Sequence, residues 1–345
     1  MNRRELTEYN LGLTLDHLMT LDPRGYGVCR ILYERAAALA GEPVSMHMAR
    51  RLYRTLRSGD TVWLLTGFVL APWNRAETDG AVGTMFLARA IQKACGVRTV
   101  LVCQEENVPA AGELGRLLGL SAADGFRIAA APKDSREARR RAETLYAACP
   151  PAAVLASETP GANARGVYHN ATGADITAIE GKTDVFFVLA AERGADTYAV
   201  GDLGNETGMR TLQPQLDAFV PYCGTGQCRC GCGGGIAAET AAGTVLTATA
   251  SDWGCDALCA ALAYLSGDLS LMPGPDEEER ALRTANACGL IDMYGDPVPA
   301  VDGFSLELNR AVVSAMRESV KSTLERGEIC APWFGRTLEK GFFQK

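Results

Sequence analysis

Thr61-Val62-Trp63-Leu64-Leu65-Thr66-Gly67 is an almost unbroken apolar run closed by a turn residue, the pattern of a strand buried on both faces. Behind it a polar stretch carries Pro72, Trp73, Asn74, Arg75, Glu77 and Asp79, and residues 80–95 then take up helical spacing through Val82, Phe86, Leu87, Ala90 and Ile91. Strand, polar loop and helix are the first half of a βαβ unit. Further on, residues 98–103, 126–131 and 152–157 read as strands, with helices over 112–120 and 135–148 between them. This alternation predicts an α/β fold of three layers, α/β/α, around a mostly parallel sheet.

On the N-terminal side, Leu11, Leu13, Leu15, Leu18 and Met19, then Val28, Ile31, Leu32, Ala36 and Leu39, are spaced for helices, so residues 1–58 form a helical preface to the sheet. On the C-terminal side, a polar stretch over 158–180 is too long for a simple connector and holds Asn163, Arg165, Tyr168, His169, Asn170 and Asp175. A helix over 182–193 follows, with Thr183 or Asp184 as its cap, then a short strand over 196–200. Residues 244–250 read as a strand and Ser251-Asp252 as the cap of a helix over 253–265. Pro273-Gly274-Pro275 is the clearest break, with helices over 276–288 and 306–326 beyond it. The expected organisation is a preface (1–58), an α/β catalytic core (59–272) and a C-terminal helical segment packed on that core (273–345).

A chain of 345 residues with 47% hydrophobic content can bury a large core and is expected to be soluble and globular. Its formal charge of -7 and pI near 5.2, with no long basic run, argue against a nucleic-acid surface. The dense group Arg136, Arg139, Arg140 and Arg141 alternates with Glu137 and Glu143 at helical spacing and reads as a solvated face. No segment reaches the roughly 18 consecutive apolar residues of a membrane span. The N-terminus lacks the apolar region of a secretory signal. Twelve cysteines in such a chain point to a reducing cytoplasm and free thiols.

The stretch Gly201-Asp202-Leu203-Gly204-Asn205-Glu206-Thr207-Gly208-Met209 leaves the end of the 196–200 strand, where α/β sheets place their chemistry. Glycine there permits positive φ and close approach of backbone N–H groups to an anion, and Asp202 and Glu206 are hard oxygen ligands suited to Mg²⁺ or Mn²⁺. An ordinary turn would use the same residue types. Cys223, Cys228, Cys230 and Cys232 have the spacing C-x4-C-x-C-x-C among glycines. Four thiols so close can make a zinc site. The absence of paired C-x2-C units and the crowding of single-residue spacers favour a loop of free thiols instead.

Together these motifs resemble the D-glutamate cyclase family. The resemblance rests on Thr66-Gly67-Phe68 with Glu77-Thr78-Asp79-Gly80; on 158–161 with Gly166, Tyr168, Asn170, Gly173, Asp175 and Ile176; on Gly201-Asp202, Gly204-Asn205-Glu206 and Gly208-Met209; and on Ser251-Asp252-Trp253-Gly254. It covers roughly residues 60–320. Thr159, Arg165 and Asp252 depart from the family pattern of arginine, aspartate and asparagine, which bears on the substrate more than on the fold.

The resemblance implies interconversion of D-glutamate with 5-oxo-D-proline and water. Such chemistry needs a base for the ammonium, an acid for the departing oxygen and a cation or donors facing the carboxylate. Asp202, Asp184, Glu77 and Asp79 are the candidate ligands of a divalent cation, and Glu206, Glu158 and His169 the candidate proton carriers. Tyr168, Asn170, Asn205 and Gly204 are the candidate contacts of a small amino-acid substrate. A metal-dependent phosphohydrolase and a non-catalytic sensor of small acids stand as alternatives. A nicotinamide enzyme is disfavoured, because no Gly-x-Gly-x-x-Gly follows the early strands.

Overall fold

The computed structural model describes residues 2–326 and 341, so the end of the expected C-terminal segment lies outside the described residues, as does Cys330. Six strands form one sheet: β1 (Thr61–Thr66), β2 (Arg98–Gln104), β3 (Phe126–Ala131), β4 (Ala153–Ser157), β5 (Asp196–Gly201) and β6 (Thr244–Thr247). Their order is β3-β2-β1-β4-β5-β6, and every neighbouring pair is parallel. Helices cover both faces, giving the expected three layers.

Strand β1 lies in the middle of the sheet with all six residues buried, which is why its sequence is continuous rather than alternating. Trp63 is fully buried, its indole N–H donates to the Cys149 carbonyl at 3.1 Å, and its ring meets Tyr146 and Phe186 edge-on. The helix Ala81–Cys95 packs on the helix Ser251–Ser266, whose residues from Ser251 to Ala263 are all buried. Protein surrounds that helix, so apart from Ser251, Asp252 and Asp256 its buried residues are apolar or small.

The helical preface is part of the same core. Leu15, Met19, Leu32, Met46 and Leu52 are fully buried and belong to the apolar cluster that contains β1. Asp16 joins the first three helices: it accepts the Tyr33 hydroxyl at 3.0 Å and the backbone N–H groups of Val44 and Ser45 at 2.7 and 3.0 Å. Helix Arg3–Met19 also packs against Ser251–Ser266 and the last helix, Leu306–Arg326.

Several boundaries differ from expectation. The helix expected over 112–120 is Val108–Leu117, because Pro109 in its first turn starts it earlier. A small hairpin, Val69–Leu70 against Arg75–Ala76, interrupts the first polar loop. Strand β6 ends at Thr247, and the helix after it begins at Ser251 with no side chain of its own as cap. Neither Thr183 nor Asp184 caps helix Thr183–Glu192, since both side chains are used elsewhere. The arginine-rich helix carries the expected exposed ion pairs, Arg139 with Glu143 and Glu192, and Arg141 with Glu137. Among the described residues every cysteine is a free thiol, and no helix is long and apolar enough to cross a membrane.

Candidate functional site

Successive strands after β1 are laid down first to one side of it (β2, β3) and then to the other (β4, β5, β6), so the connections reverse direction between β1 and β4. In open α/β sheets a crevice for ligands opens at the carboxyl ends of the strands flanking this reversal. Here those ends are Thr66-Gly67 and Ser157-Glu158, linked by the Gly67 N–H donating to the Glu158 carbonyl at 2.8 Å.

Glu158 has φ of 43°, in the left-handed region that bulky residues avoid. Its N–H donates to Val200 of β5, and the Ser251 hydroxyl donates to its Oε2 at 2.6 Å. Gly80 packs directly against it: a Cβ at Gly80 would lie 2.2 Å from the Cβ of Glu158, and Gly80 itself has φ of 71°. Only glycine fits there, which accounts for the Asp79-Gly80 pair physically.

Asp79 serves as the missing cap of helix Ser251–Ser266. Its Oδ2 accepts the N–H of Ser251 at 3.0 Å and its Oδ1 those of Asp252 and Gly80 at 2.8 and 2.9 Å. This replaces the local cap expected from Ser251-Asp252 and commits Asp79 to the helix terminus.

The 201–209 loop is organised by Glu206. Its Oε1 accepts the N–H groups of Asp202 (2.7 Å) and Leu203 (3.0 Å), and its Oε2 that of Gly204 (2.5 Å). Oxygens of Glu158, Asp202 and Glu206 all lie within 4.8 Å of one another, so these three could hold a metal ion. The Asp202 carboxyl is held well above its ordinary pKa, first by burial and then by the charges of Glu158, Glu206 and Asp302. Glu158 is raised for the same reasons, with Asp79, Glu206 and Glu77 as the repelling neighbours. Glu77 is also buried and raised, by burial and then by Asp302, Asp79 and Asp292.

Two members of this constellation are absent from the sequence reading. Asp302, at φ of 49° after Val301, is raised to about 7, mainly by burial. Arg24, from the turn between the first two helices, donates to Asp302 Oδ2 at 2.5 Å and to the Thr249 carbonyl at 3.0 Å, and stacks over Phe304. A small cleft lies between Arg24 and Tyr26 on one side and Asp202 and Leu203 on the other.

Four expected site residues lie elsewhere. Asp184 accepts the Tyr168 hydroxyl at 2.6 Å and the Ala162 N–H at 3.1 Å, outside the acidic group. Tyr168 is thereby buried beside Phe68 and Ile176, with the Lys182 ammonium 4.0 Å from its ring centre. Asn170 folds its own turn, its Oδ1 accepting the N–H groups of Thr172 and Ala174. His169 turns its Nε2 toward Cys230 Sγ at 3.1 Å, not toward the carboxylates. Asn205 braces the loop from behind, donating to the His169 carbonyl at 3.1 Å, and Gly204 contributes the N–H that Glu206 accepts.

The sequence model for "D-glutamate cyclase-like, C-terminal" matches residues 15–317. The chain belongs to the D-glutamate cyclase-like family. That match takes in the N-terminal helices from residue 15 and the segment bearing Asp302, so the family unit includes both elements that bring Arg24 and Asp302 to the site. No curated protein matches the chain. Among solved structures, a short-chain type dehydrogenase/reductase from Mycobacterium ulcerans matches at 14% identity and a TM-score of 0.25. The match covers 43% of this chain and 54% of that one, a likeness too slight to bear on fold or activity.

Proposed function

We propose that this D-glutamate cyclase-like chain is an enzyme that interconverts D-glutamate with 5-oxo-D-proline and water. The observation that carries the reading is the convergence of Glu158, Asp202 and Glu206 at the sheet's switch point in a chain of this family. The alternative of a phosphohydrolase loses its anion site, because the glycine-rich loop already directs three N–H groups at its own Glu206.

The residues fit a hard divalent cation, Mn²⁺ or Mg²⁺: the donors are carboxylate oxygens, and Asp202 accepts no backbone N–H that would compete. Asp202 and Glu206 would hold it, and when bound it would polarise the substrate's γ-carboxylate. Asp79 and Asp184 stand outside the group of acids whose oxygens converge, and their own oxygens accept from backbone and tyrosine donors. Glu77 is buried, with Asp302, Asp79 and Asp292 as repelling neighbours, and these hold it toward its neutral form.

Glu158 is the proton carrier. Ser251 fixes its Oε2 and leaves Oε1 free, while burial and neighbouring charge raise its proton affinity toward the working range of a base. In the forward direction it takes a proton from the α-ammonium, and the freed nitrogen attacks the carbon of the γ-carboxylate. A C–N bond forms, a C–O bond breaks, and the two protons lost by nitrogen leave with the oxygen as water, Glu158 passing them across. Glu206 is too heavily engaged with backbone N–H groups for that task. Arg24, the cation beside Asp202, positions the substrate's α-carboxylate.

Purified chain incubated with D- or L-glutamate and Mn²⁺, with 5-oxoproline resolved by chiral chromatography, tests the reading. Formation of 5-oxo-D-proline, and its hydrolysis in the reverse direction, is the expected result. No turnover of either enantiomer in either direction would refute it and favour a sensor of small acids.

A further inference from the structure

The sequence pattern around the clustered cysteines leaves zinc and free thiols both open, with Cys223 as one of four candidate ligands. The structure removes Cys223: its thiol is buried and points to the Leu203 carbonyl at 3.6 Å. In its place stands His169, contributed by the 158–180 loop. One ligand atom from each of His169, Cys228, Cys230 and Cys232 lies within 4.8 Å of all the others.

The spacings within this group are those of a coordination shell. Cys228 and Cys232 sulfurs are 3.4 Å apart and Cys228 and Cys230 sulfurs 3.8 Å apart, while His169 Nε2 is 3.1 Å from Cys230 and 3.7 Å from Cys232. A tetrahedral zinc with Zn–S near 2.3 Å and Zn–N near 2.05 Å places its ligand atoms about 3.8 Å apart for S···S and about 3.6 Å for S···N. The single-residue spacers that would crowd an extended chain are accommodated because the backbone turns at them, Arg229 lying in a turn and Gly231 having φ of 74°. Gly235, at φ of 72°, lets the chain pass so near that a Cβ would meet the Cys223 carbonyl oxygen at 2.2 Å.

Two further observations point to a ligand. Cys232 Sγ accepts N–H bonds from the Asn163 side chain (3.3 Å) and from Gly234 (3.4 Å), the donor environment that favours a thiolate and that commonly surrounds metal-bound sulfur. The His169 ring is fully buried, and among the described residues its Nε2 faces only sulfur. A buried imidazole nitrogen with only thiols for neighbours is costly, and coordination through Nε2 offsets that cost.

We propose that His169, Cys228, Cys230 and Cys232 bind one zinc ion in a closed structural site, separate from the acidic centre. Its four ligands leave no open position for substrate. The ion ties the 158–180 loop to the 223–235 segment, and the His169 carbonyl, accepting from Asn205, carries that tie to the loop that holds Asp202 and Glu206. The site stands whether or not the lactam chemistry proposed above is correct.

The test uses the full chain, purified under reducing conditions without chelator. Elemental analysis should find about one zinc per chain, and Co²⁺ added to the stripped protein should give thiolate-to-cobalt charge-transfer bands with tetrahedral ligand-field absorption. Carboxylate-bound metal at the acidic centre gives no such thiolate bands. Cys230→Ser, at the most exposed ligand, and His169→Ala should each weaken Co²⁺ binding by more than about a hundredfold, beyond the usual loss from removing a group that only hydrogen-bonds to a ligand. Cys223→Ser should bind as the parent does. Folded parent protein that holds no zinc and shows no thiolate–cobalt bands would overturn the proposal, as would a Cys223→Ser variant that loses the metal while His169→Ala retains it.

Discussion

Glu206 accepts the backbone N–H of Asp202 at 2.7 Å, so one acid of the loop builds the turn that presents the other. Their removal should therefore have separable consequences. Glu206→Gln sets an amide NH₂ against backbone donors and should cost about 2–3 kcal/mol of stability together with activity. Asp202→Asn should leave the melting temperature unchanged or higher, because it removes a buried like charge, yet abolish turnover, with partial rescue by excess Mn²⁺. Thermal melts and initial rates on both variants decide the matter, and equal destabilisation by both would remove the distinction.

Arg24 reaches the site from the turn between the first two helices, and its proposed partner is the substrate's α-carboxylate. Arg24→Gln should raise KM for D-glutamate by about tenfold to a hundredfold, the loss of a charge-assisted contact, with a smaller fall in kcat. A variant that lowers kcat alone would assign Arg24 to holding Asp302 instead.

The site's carboxyl groups predict how metal and pH act together. A carboxyl with a raised folded-state pKa binds its proton more tightly when folded, so its stabilising contribution is full below the ordinary carboxylate range and disappears as pH rises through the folded value. Glu158 and Asp202 are raised well above that range and Asp302 to about 7. Without divalent cation, stability should fall from about pH 5 to about pH 8, while a bound cation replaces the lost protons. The rise in melting temperature on adding Mn²⁺ should accordingly be larger at pH 8 than at pH 5. A rise that is the same at both, or larger in acid, would show that the cation does not bind beside these carboxyls.

Asp256 gives a control away from the chemistry. It is buried, its Oδ1 has no hydrogen-bond partner, and burial followed by Asp252 and Asp79 raises its pKa well above normal. Asp256→Asn keeps the shape and removes the cost of ionisation, so it should stabilise the fold by about 1–3 kcal/mol near pH 8. The gain should shrink as pH falls through the ordinary aspartate range and vanish at about pH 2, where the parent carboxyl is protonated in both states. Chemical denaturation at the two pH values measures it; destabilisation near pH 8 would mean that the charged form has a partner that the amide cannot replace.

Much of the sheet was legible because burial on both faces leaves a plain mark: β1 is apolar from Thr61 to Thr66, and helix Ser135–Ala148 appears with the ends its spacing implies. The acids at strand ends were legible too, through their glycine-bearing motifs. Arg24 and Asp302 were not, because each lies in an unremarkable turn and gains meaning only when the two ends of the chain meet over the sheet. Tyr168, His169 and Asn170 are consecutive and were grouped as one polar loop, yet their side chains face an aspartate, a set of sulfurs and the local backbone. Composition reports that such side chains can bond, but not which partners the folded chain supplies.

The joining of the first helix to the last also bears on how the protein is made. The apolar face of Arg3–Met19 packs against Ser251–Ser266 and Leu306–Arg326, segments that leave the ribosome long after it. The first helix thus meets the helix Val44–Thr55 early and these later segments only near the end, which leaves part of its apolar face uncovered through most of synthesis. A message truncated before Leu306 would release a chain in which that part of the first helix stays uncovered.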